Sequence, residues 1–194
     1  YGLGIIGDPD QAMRWYRMAA RQGCAAAKES LEYMESHGYG RNGSRAEPQG
    51  AAKMLSDKAM EGDADSQYWL GSIYFEGDSS NAQDYREAAK WYFRAAVRGN
   101  AAAKCSRGHM YLEGHGFSQD YEEAASWFRE AAEQGNANAQ SNLGLLYRNG
   151  HGVPQDYAEC GKWYRQAAEQ GDSEAENNLG CIYSDGLGVT RDYK

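Results

Sequence analysis

The sequence predicts an all-α protein, an array of about five helical hairpins. Three observations predict it. Trp91, Trp127 and Trp163 stand 36 residues apart, and so do Gly99, Gly135 and Gly171. An Asp followed three residues later by Glu precedes each of these tryptophans at a fixed offset. The 194 residues hold only three prolines, and apolar residues such as Leu143, Leu146 and Tyr147 recur at helical spacing. Self-similarity at a period of this length marks stacked repeats, because one hairpin cannot bury its apolar faces alone.

The repeats run at about 8–40, 47–78, 84–117, 120–153 and 156–189, with partial repeats expected at both ends. Gly2 to Trp15 has the same spacing as Gly150 to Trp163, so the chain is expected to open inside the loop of a preceding repeat. The array is expected to be a piece of a longer one, or to associate with itself through open ends. In the first repeat Pro9 takes the first helical turn, where a missing amide proton costs nothing, and Trp15 fills the tryptophan slot. In the second, Pro48 has the same role and Met54 stands in for tryptophan; the connection 37–49 carries the extra residues. In the next three, Asp84, Asp120 and Asp156 with Glu87, Glu123 and Glu159 form a capping-box pattern at the start of helix A. Helix A ends at Gly23, Gly62, Gly99, Gly135 or Gly171. Asp63, Asn100, Asn136 or Asp172 then caps helix B, which stops at Gly77, Gly114, Gly150 or Gly186. Helix A supplies paired rings (Trp91-Tyr92, Trp127-Phe128, Trp163-Tyr164). Helix B supplies small residues, with Gly71, Gly108, Gly144 and Gly180 in one slot, so rings are expected to fill the space beside closely approaching backbones.

Bulk properties narrow the function. Net charge is −8, which disfavours nucleic acid and anionic membranes unless a local basic patch exists. No run of about 18 apolar residues is present, so membrane insertion is not expected. The opening YGLGII is too short for a signal peptide and lacks a basic flank. Periplasmic or secreted and cytoplasmic locations stay equally open. Cys24, Cys105, Cys160 and Cys181 form no CxxC and no regular pairing. Cys160 and Cys181 can face each other across a hairpin, but small buried thiols are the favoured reading.

Catalytic and metal constellations are weak. His115 and His151 share one loop slot in adjacent repeats, where exposed tolerant positions are favoured over a metal or pH-sensitive pair. His109 and Glu113 are four apart on helix B but lack a third ligand. No Ser-x-x-Lys, Gly-x-Ser-x-Gly, His-Glu-x-x-His or phosphate loop occurs. The sequence therefore predicts no catalytic, cofactor or metal residues.

The pattern DYxEAxxWxxxAAEQGxxxAxxxLGxxYxxGxGV is met almost in full at 120–153 and 156–189 and well at 84–117. It is looser at 47–77, where Met54 stands, and at 8–40, where Glu32 takes the helix-B glycine slot. These residues resemble the Sel1-like repeat, a relative of the tetratricopeptide repeat, over nearly the whole chain. The resemblance implies a right-handed α-superhelix that holds other proteins on a concave helix-A face. It implies a scaffold or adaptor in signalling, bacterial envelope and host-interaction systems or protein quality control, and in some bacterial members toxin immunity. The alternative it implies is a β-lactam-binding protein or hydrolase of the cysteine-rich branch. That branch pairs cysteines within each repeat, which this chain does not reproduce.

Within that frame the helix-A surface is informative. The slot before tryptophan reads Arg14, Lys53, Lys90, Ser126, Lys162, and the slot two after it reads Arg17, Ser56, Phe93, Arg129, Arg165. A basic stripe of this kind would grip an acidic or mixed protein surface or peptide. The competing reading is pairing within each helix, Arg129 with Glu133 and Arg165 with Glu169. Two aromatics break the pattern. Trp69 stands where other repeats have Ser30, Ser106, Asn142 and Asn178; it is either an interface anchor or, with Tyr68, a filler for the gap at Met54. Phe93 with Arg94 leans towards an interface. The expected partner-binding set is Arg14, Arg17, Trp69, Arg86, Lys90, Phe93, Arg94, Arg129, Lys162 and Arg165.

Overall fold

The computed structural model describes residues 49–77 and 83–187, together with Met13, Tyr16, Arg17, Ala20, Arg21, Lys28, Leu31, Glu32 and Glu35. Arg14, Trp15 and Cys24 lie outside the described residues, as do the side chains of Lys53 and Met54. Among the described residues the chain forms eight helices and no strand. They are α1 (Gln49–Glu61), α2 (Ala64–Glu76), α3 (Tyr85–Val97), α4 (Ala101–Glu113), α5 (Tyr121–Glu133), α6 (Ala137–Asn149), α7 (Tyr157–Ala168) and α8 (Ser173–Asp185). The chain divides into two compact units, Tyr1–Asn100 with α1–α3 and Ala101–Lys194 with α4–α8.

The caps follow the sequence, with one difference. Asp84 accepts from the amides of Arg86 and Glu87, Asp120 from Glu122 and Glu123, and Asp156 from Ala158 and Glu159. In a full capping box the glutamate would return a bond to the cap amide. Here that amide points elsewhere: Asp84, Asp120 and Asp156 donate their own N–H to the carbonyls of Tyr74, Tyr111 and Tyr147 on the preceding helix B. Glu87 and Glu159 are thereby released, and each accepts from a lysine one turn on, Lys90 or Lys162. The cap therefore fastens helix A to the helix before it as well as starting the new one. Of the four caps expected for helix B, Asp63, Asn136 and Asp172 accept from Ser66, Ala139 and Ala175, and the side-chain amide of Asn100 donates to Asp65 Oδ1 at 2.8 Å.

Packing within each unit is built on glycine sockets. In the N-terminal unit α2 lies on α3, and Gly71 faces the ring of Tyr92 so closely that a Cβ there would stand 2.7 Å from Cδ1. In the C-terminal unit Gly108 of α4 meets Phe128 of α5 in the same way (2.6 Å), and Gly144 of α6 meets Tyr164 of α7 (2.9 Å). The ring after each tryptophan thus keys a helix B to the helix A that follows, and around the keys lie fully buried alanines such as Ala88, Ala124 and Ala139. Phe128, Leu143 and Leu146 centre the C-terminal unit's core, and Leu70 and Trp91 that of the N-terminal unit.

Gly161 departs from this logic. It lies in α7 at a slot that is Ala89 and Ala125 in other repeats, and an added Cβ would meet nothing within 4 Å. Helical glycine is less favourable than alanine by about 1 kcal/mol. Gly161→Ala is expected to stabilise the protein by about that amount, read as a rise in the urea midpoint without a change in slope.

Candidate protein-binding face

On α3, residues 86, 90, 93 and 97 are spaced four, three and four apart, which places them along one face. They are Arg86, Lys90, Phe93 and Val97, and all four are exposed, Phe93 by 47% and Val97 by 59%. The opposite face explains why: Ala88, Ala89, Trp91, Tyr92, Ala95 and Ala96 are buried and hold α3 in the core. Beside the stripe, Arg94 is exposed and its guanidinium lies over the Trp91 ring at 4.6 Å. Lys90 is paired with Glu87 on the same helix.

The register makes this face unusual within the chain. Thirty-six and 72 residues on, the Phe93 slot holds Arg129 and Arg165, and the Val97 slot holds Glu133 and Glu169. An oppositely charged pair is replaced by two apolar side chains, yet the positions remain at the surface. The sequence reading selected Phe93 and missed Val97; comparison of positions 97, 133 and 169 carried the signal.

The other expected residues have different surroundings. Trp69 is corrected: it is 6% exposed, edge-on to Tyr68 at 5.0 Å, so its ring belongs to the core and is not offered to a partner. Arg17 is exposed and lies 3.8 Å from Glu35. In the C-terminal unit Arg129 donates to the Tyr147 hydroxyl at 3.1 Å, and Arg165 donates to that of Tyr183. Both arginines therefore reach across their hairpin to helix B, and neither bond is the intrahelical pairing with Glu133 or Glu169 that the sequence offered as the alternative to a partner-binding stripe. Lys162 bonds Glu159 at 3.1 Å and lies 5.1 Å from the centre of the Trp163 ring. The basic stripe is thus locally partnered at Arg17, Lys90, Arg129, Lys162 and Arg165, although such exposed pairs contribute only about 0–1 kcal/mol each.

Cys105 and Cys160 are buried free thiols, raised by burial to about 12 and about 11. Cys181 is free and exposed, which corrects the expectation that it is buried with Cys160. His151 lies over the Tyr121 ring, with centroids 4.7 Å apart. His109 packs edge-on against Phe128, and burial lowers its pKa against the opposing pull of Glu113. Among the described residues no group of three or more His, Cys, Asp or Glu is placed to hold a metal ion, and no helix is long and apolar enough to cross a membrane. Arg107, which the sequence reading passed over, is buried in a slot that is Leu70, Leu143 and Leu179 elsewhere. Its guanidinium lies over Trp127 at 4.6 Å, with Phe117 at 5.4 Å and Tyr111 at 5.7 Å, so three rings replace water around the charge.

Comparison with known proteins accords with this architecture. The Sel1 repeat model matches residues 1–24, 64–100, 101–136, 137–172 and 173–194. A protective antigen of uropathogenic Escherichia coli strains, displaying an SLR fold, is 37% identical with a TM-score of 0.75; the match covers 92% of this chain and 38% of that one. The chain therefore spans well under half of that protein. A Sel1 repeat protein from Oxalobacter formigenes is 34% identical over 96% of this chain and 75% of its own, with a TM-score of 0.73. A Sel1 repeat protein from Klebsiella pneumoniae shares the fold at 18% identity, over 93% of this chain and 86% of its own, with a TM-score of 0.54. No curated protein matches the sequence. With its rings keyed into glycine sockets at the family's period, the chain belongs to the Sel1 repeat family.

Proposed function

We propose that this chain is a non-enzymatic protein-interaction repeat that seats a partner protein on the exposed face of α3. One observation carries the reading: Phe93 and Val97 place an apolar pair at the surface where other repeats of the same chain carry arginine and glutamate. An exposed aromatic beside arginine, ringed by charge, is the composition of an interface anchor. Arg86, Lys90 and Arg94 supply a basic rim, so the partner presents an apolar side chain bordered by acidic residues. The rim would govern the rate of encounter and the apolar pair the lifetime of the complex.

The test restores the repeat's own residues. Phe93→Arg/Val97→Glu inserts the side chains that the equivalent exposed positions Arg165 and Glu169 already carry, so stability should change by less than about 0.5 kcal/mol. With the wild-type and double-variant chains as parallel baits in extract of the source organism, a bound protein should be retained by the first and lost by the second. Against the purified partner the loss should be about 30-fold or more in Kd, the effect of removing an anchor of about 2 kcal/mol. Equal retention by both baits would overturn the assignment of this face. Lys90→Glu/Arg94→Glu should lower the association rate and its salt dependence more than it raises the dissociation rate.

A further inference from the structure

The complement that the α3 face calls for is carried by the chain itself, on α1. Gly62 and Gly99, which follow α1 and α3, stand 37 residues apart, and so do Met60 and Val97. Met60 therefore fills the Val97 slot one repeat earlier, and it is 60% exposed. The flanking charges are reversed between the two helices. Val97 stands between Arg94, one turn back, and Arg98; Met60 stands between Asp57, one turn back, and Glu61. All four charged residues are exposed. In the next two repeats the same three slots read Glu130, Glu133, Gln134 and then Gln166, Glu169, Gln170, with no apolar centre. The apolar residue flanked by one sign of charge is thus a property of α1 and α3, acidic on one and basic on the other.

The two patterns lie on neighbouring parts of one compact unit. Ala59 of α1 and Trp91 of α3 share one buried cluster, and a Cβ on Gly62 would stand 3.3 Å from the Arg98 guanidinium. Arg94 lies over the Trp91 ring at 4.6 Å, and Arg98 donates to the Arg94 carbonyl at 3.3 Å, so both basic groups are held beside Val97. Among the described residues neither arginine forms an ion pair with Asp57 or Glu61. The opposite charges of the two helices are therefore not consumed by one another within the chain.

We propose that this face is self-complementary and that its occupant is a second copy of the chain. The inference rests on the α3 reading above and names the partner seated there. A two-fold axis that lays α1 of each copy on α3 of the other sets Met60 against Val97, Asp57 against Arg94 and Glu61 against Arg98, each contact occurring twice. Phe93 then faces Ser56 of the copy, the small residue of its own slot, which leaves room for the ring. The other two-fold arrangement, α1 on α1 and α3 on α3, sets acid on acid and base on base, and is excluded by like-charge repulsion. The charges thereby choose the orientation, and the apolar side chains at the centre hold the pair together. A face of two helices is small, so the dimer is weak and reversible.

Sedimentation velocity of the whole chain over a concentration series tests this. The mass should rise from one chain to two with a Kd of about 10 µM, weakening as salt is raised. Asp57→Arg/Glu61→Arg makes both helices basic, and Arg94→Glu/Arg98→Glu makes both acidic; each alone should dimerise about tenfold or more weakly than the wild type. Mixed one to one, the two variants should pair with each other at about the wild-type Kd, because α1 of each again meets an oppositely charged α3. That rescue requires both variants to be folded, so it separates repulsion from misfolding. Wild-type affinity in either variant alone, or no pairing in the mixture, would overturn the proposal. A wild-type chain that stays single at every concentration would overturn it too. The α3 reading then survives if the wild-type bait retains a different protein that Phe93→Arg/Val97→Glu loses, and falls as well if the two baits retain the same proteins.

Discussion

Gly152→Ala is expected to destabilise the C-terminal unit by about 4 kcal/mol or more, a large effect for a one-methyl change. Two causes add. Gly152 has φ of 67°, where a Cβ crowds the carbonyl oxygen and costs about 1–2 kcal/mol by itself. The added carbon would also stand 2.1 Å from the Tyr121 carbonyl oxygen and 2.6 Å from the Glu122 amide nitrogen. Those are backbone atoms in the first turn of α5, fixed by the Asp120 cap, so no side-chain rotation relieves the contact. The turn would have to leave α5, taking His151 off the Tyr121 ring. Gly135→Ala is the control. Its φ is 86° and a Cβ there would meet nothing within 4 Å, so it should show the conformational cost alone. Urea unfolding followed by far-ultraviolet circular dichroism measures both. With a slope of about 2 kcal/mol/M, Gly152→Ala should lower the midpoint by about 2 M and Gly135→Ala by less than 1 M. Equal shifts would mean that the turn does not rest on α5.

This contrast also shows what was legible in the sequence. The spacing of tryptophans and glycines located the eight helices Gln49–Asp185, because period and capping chemistry are local properties of the chain. It also identified the glycine slot at 71, 108, 144 and 180 as a place of close approach, which holds at the first three, whereas a Cβ at Gly180 would meet nothing within 4 Å. It did not reveal which atoms would fill that space. Trp69 has two readings in sequence, an interface anchor or a core filler with Tyr68, because its slot is polar in other repeats, and three-dimensional packing decides for the core. Cys181 failed in the opposite sense, its side chain facing outward from α8. Arg129 and Arg165 have glutamates four residues on, the spacing of an intrahelical pair, yet each bonds a tyrosine 18 residues away that sequence spacing cannot rank. The α3 face was half legible. Phe93 stood out as an aromatic, whereas Val97 is unremarkable until its counterparts Glu133 and Glu169 are set beside it.

Phe128→Ala should have an effect of the same order, and its coupling to Gly108 tests how the repeats are joined. Phe128 is 0% exposed and sits at the centre of the C-terminal core, with His109 edge-on to its ring at 5.1 Å. Truncating such a ring costs about 3–5 kcal/mol through lost transfer energy and the cavity left behind. Gly108→Ala alone should also destabilise. Its Cβ would lie 2.6 Å from both Cδ1 and Cε1 of Phe128, an overpacking of about 1–3 kcal/mol set against a helix-propensity gain of about 1 kcal/mol. In the Phe128→Ala background the obstacle is gone. There Gly108→Ala should raise stability by about 1 kcal/mol, restoring helix propensity and returning a methyl to the emptied space. The sign of one substitution thus depends on a residue 20 positions away in sequence, a coupling of about 2 kcal/mol in a double-mutant cycle. If Gly108→Ala destabilises equally in both backgrounds, the ring is not what demands glycine there, and the joint between α4 and α5 rests on the flanking alanines instead.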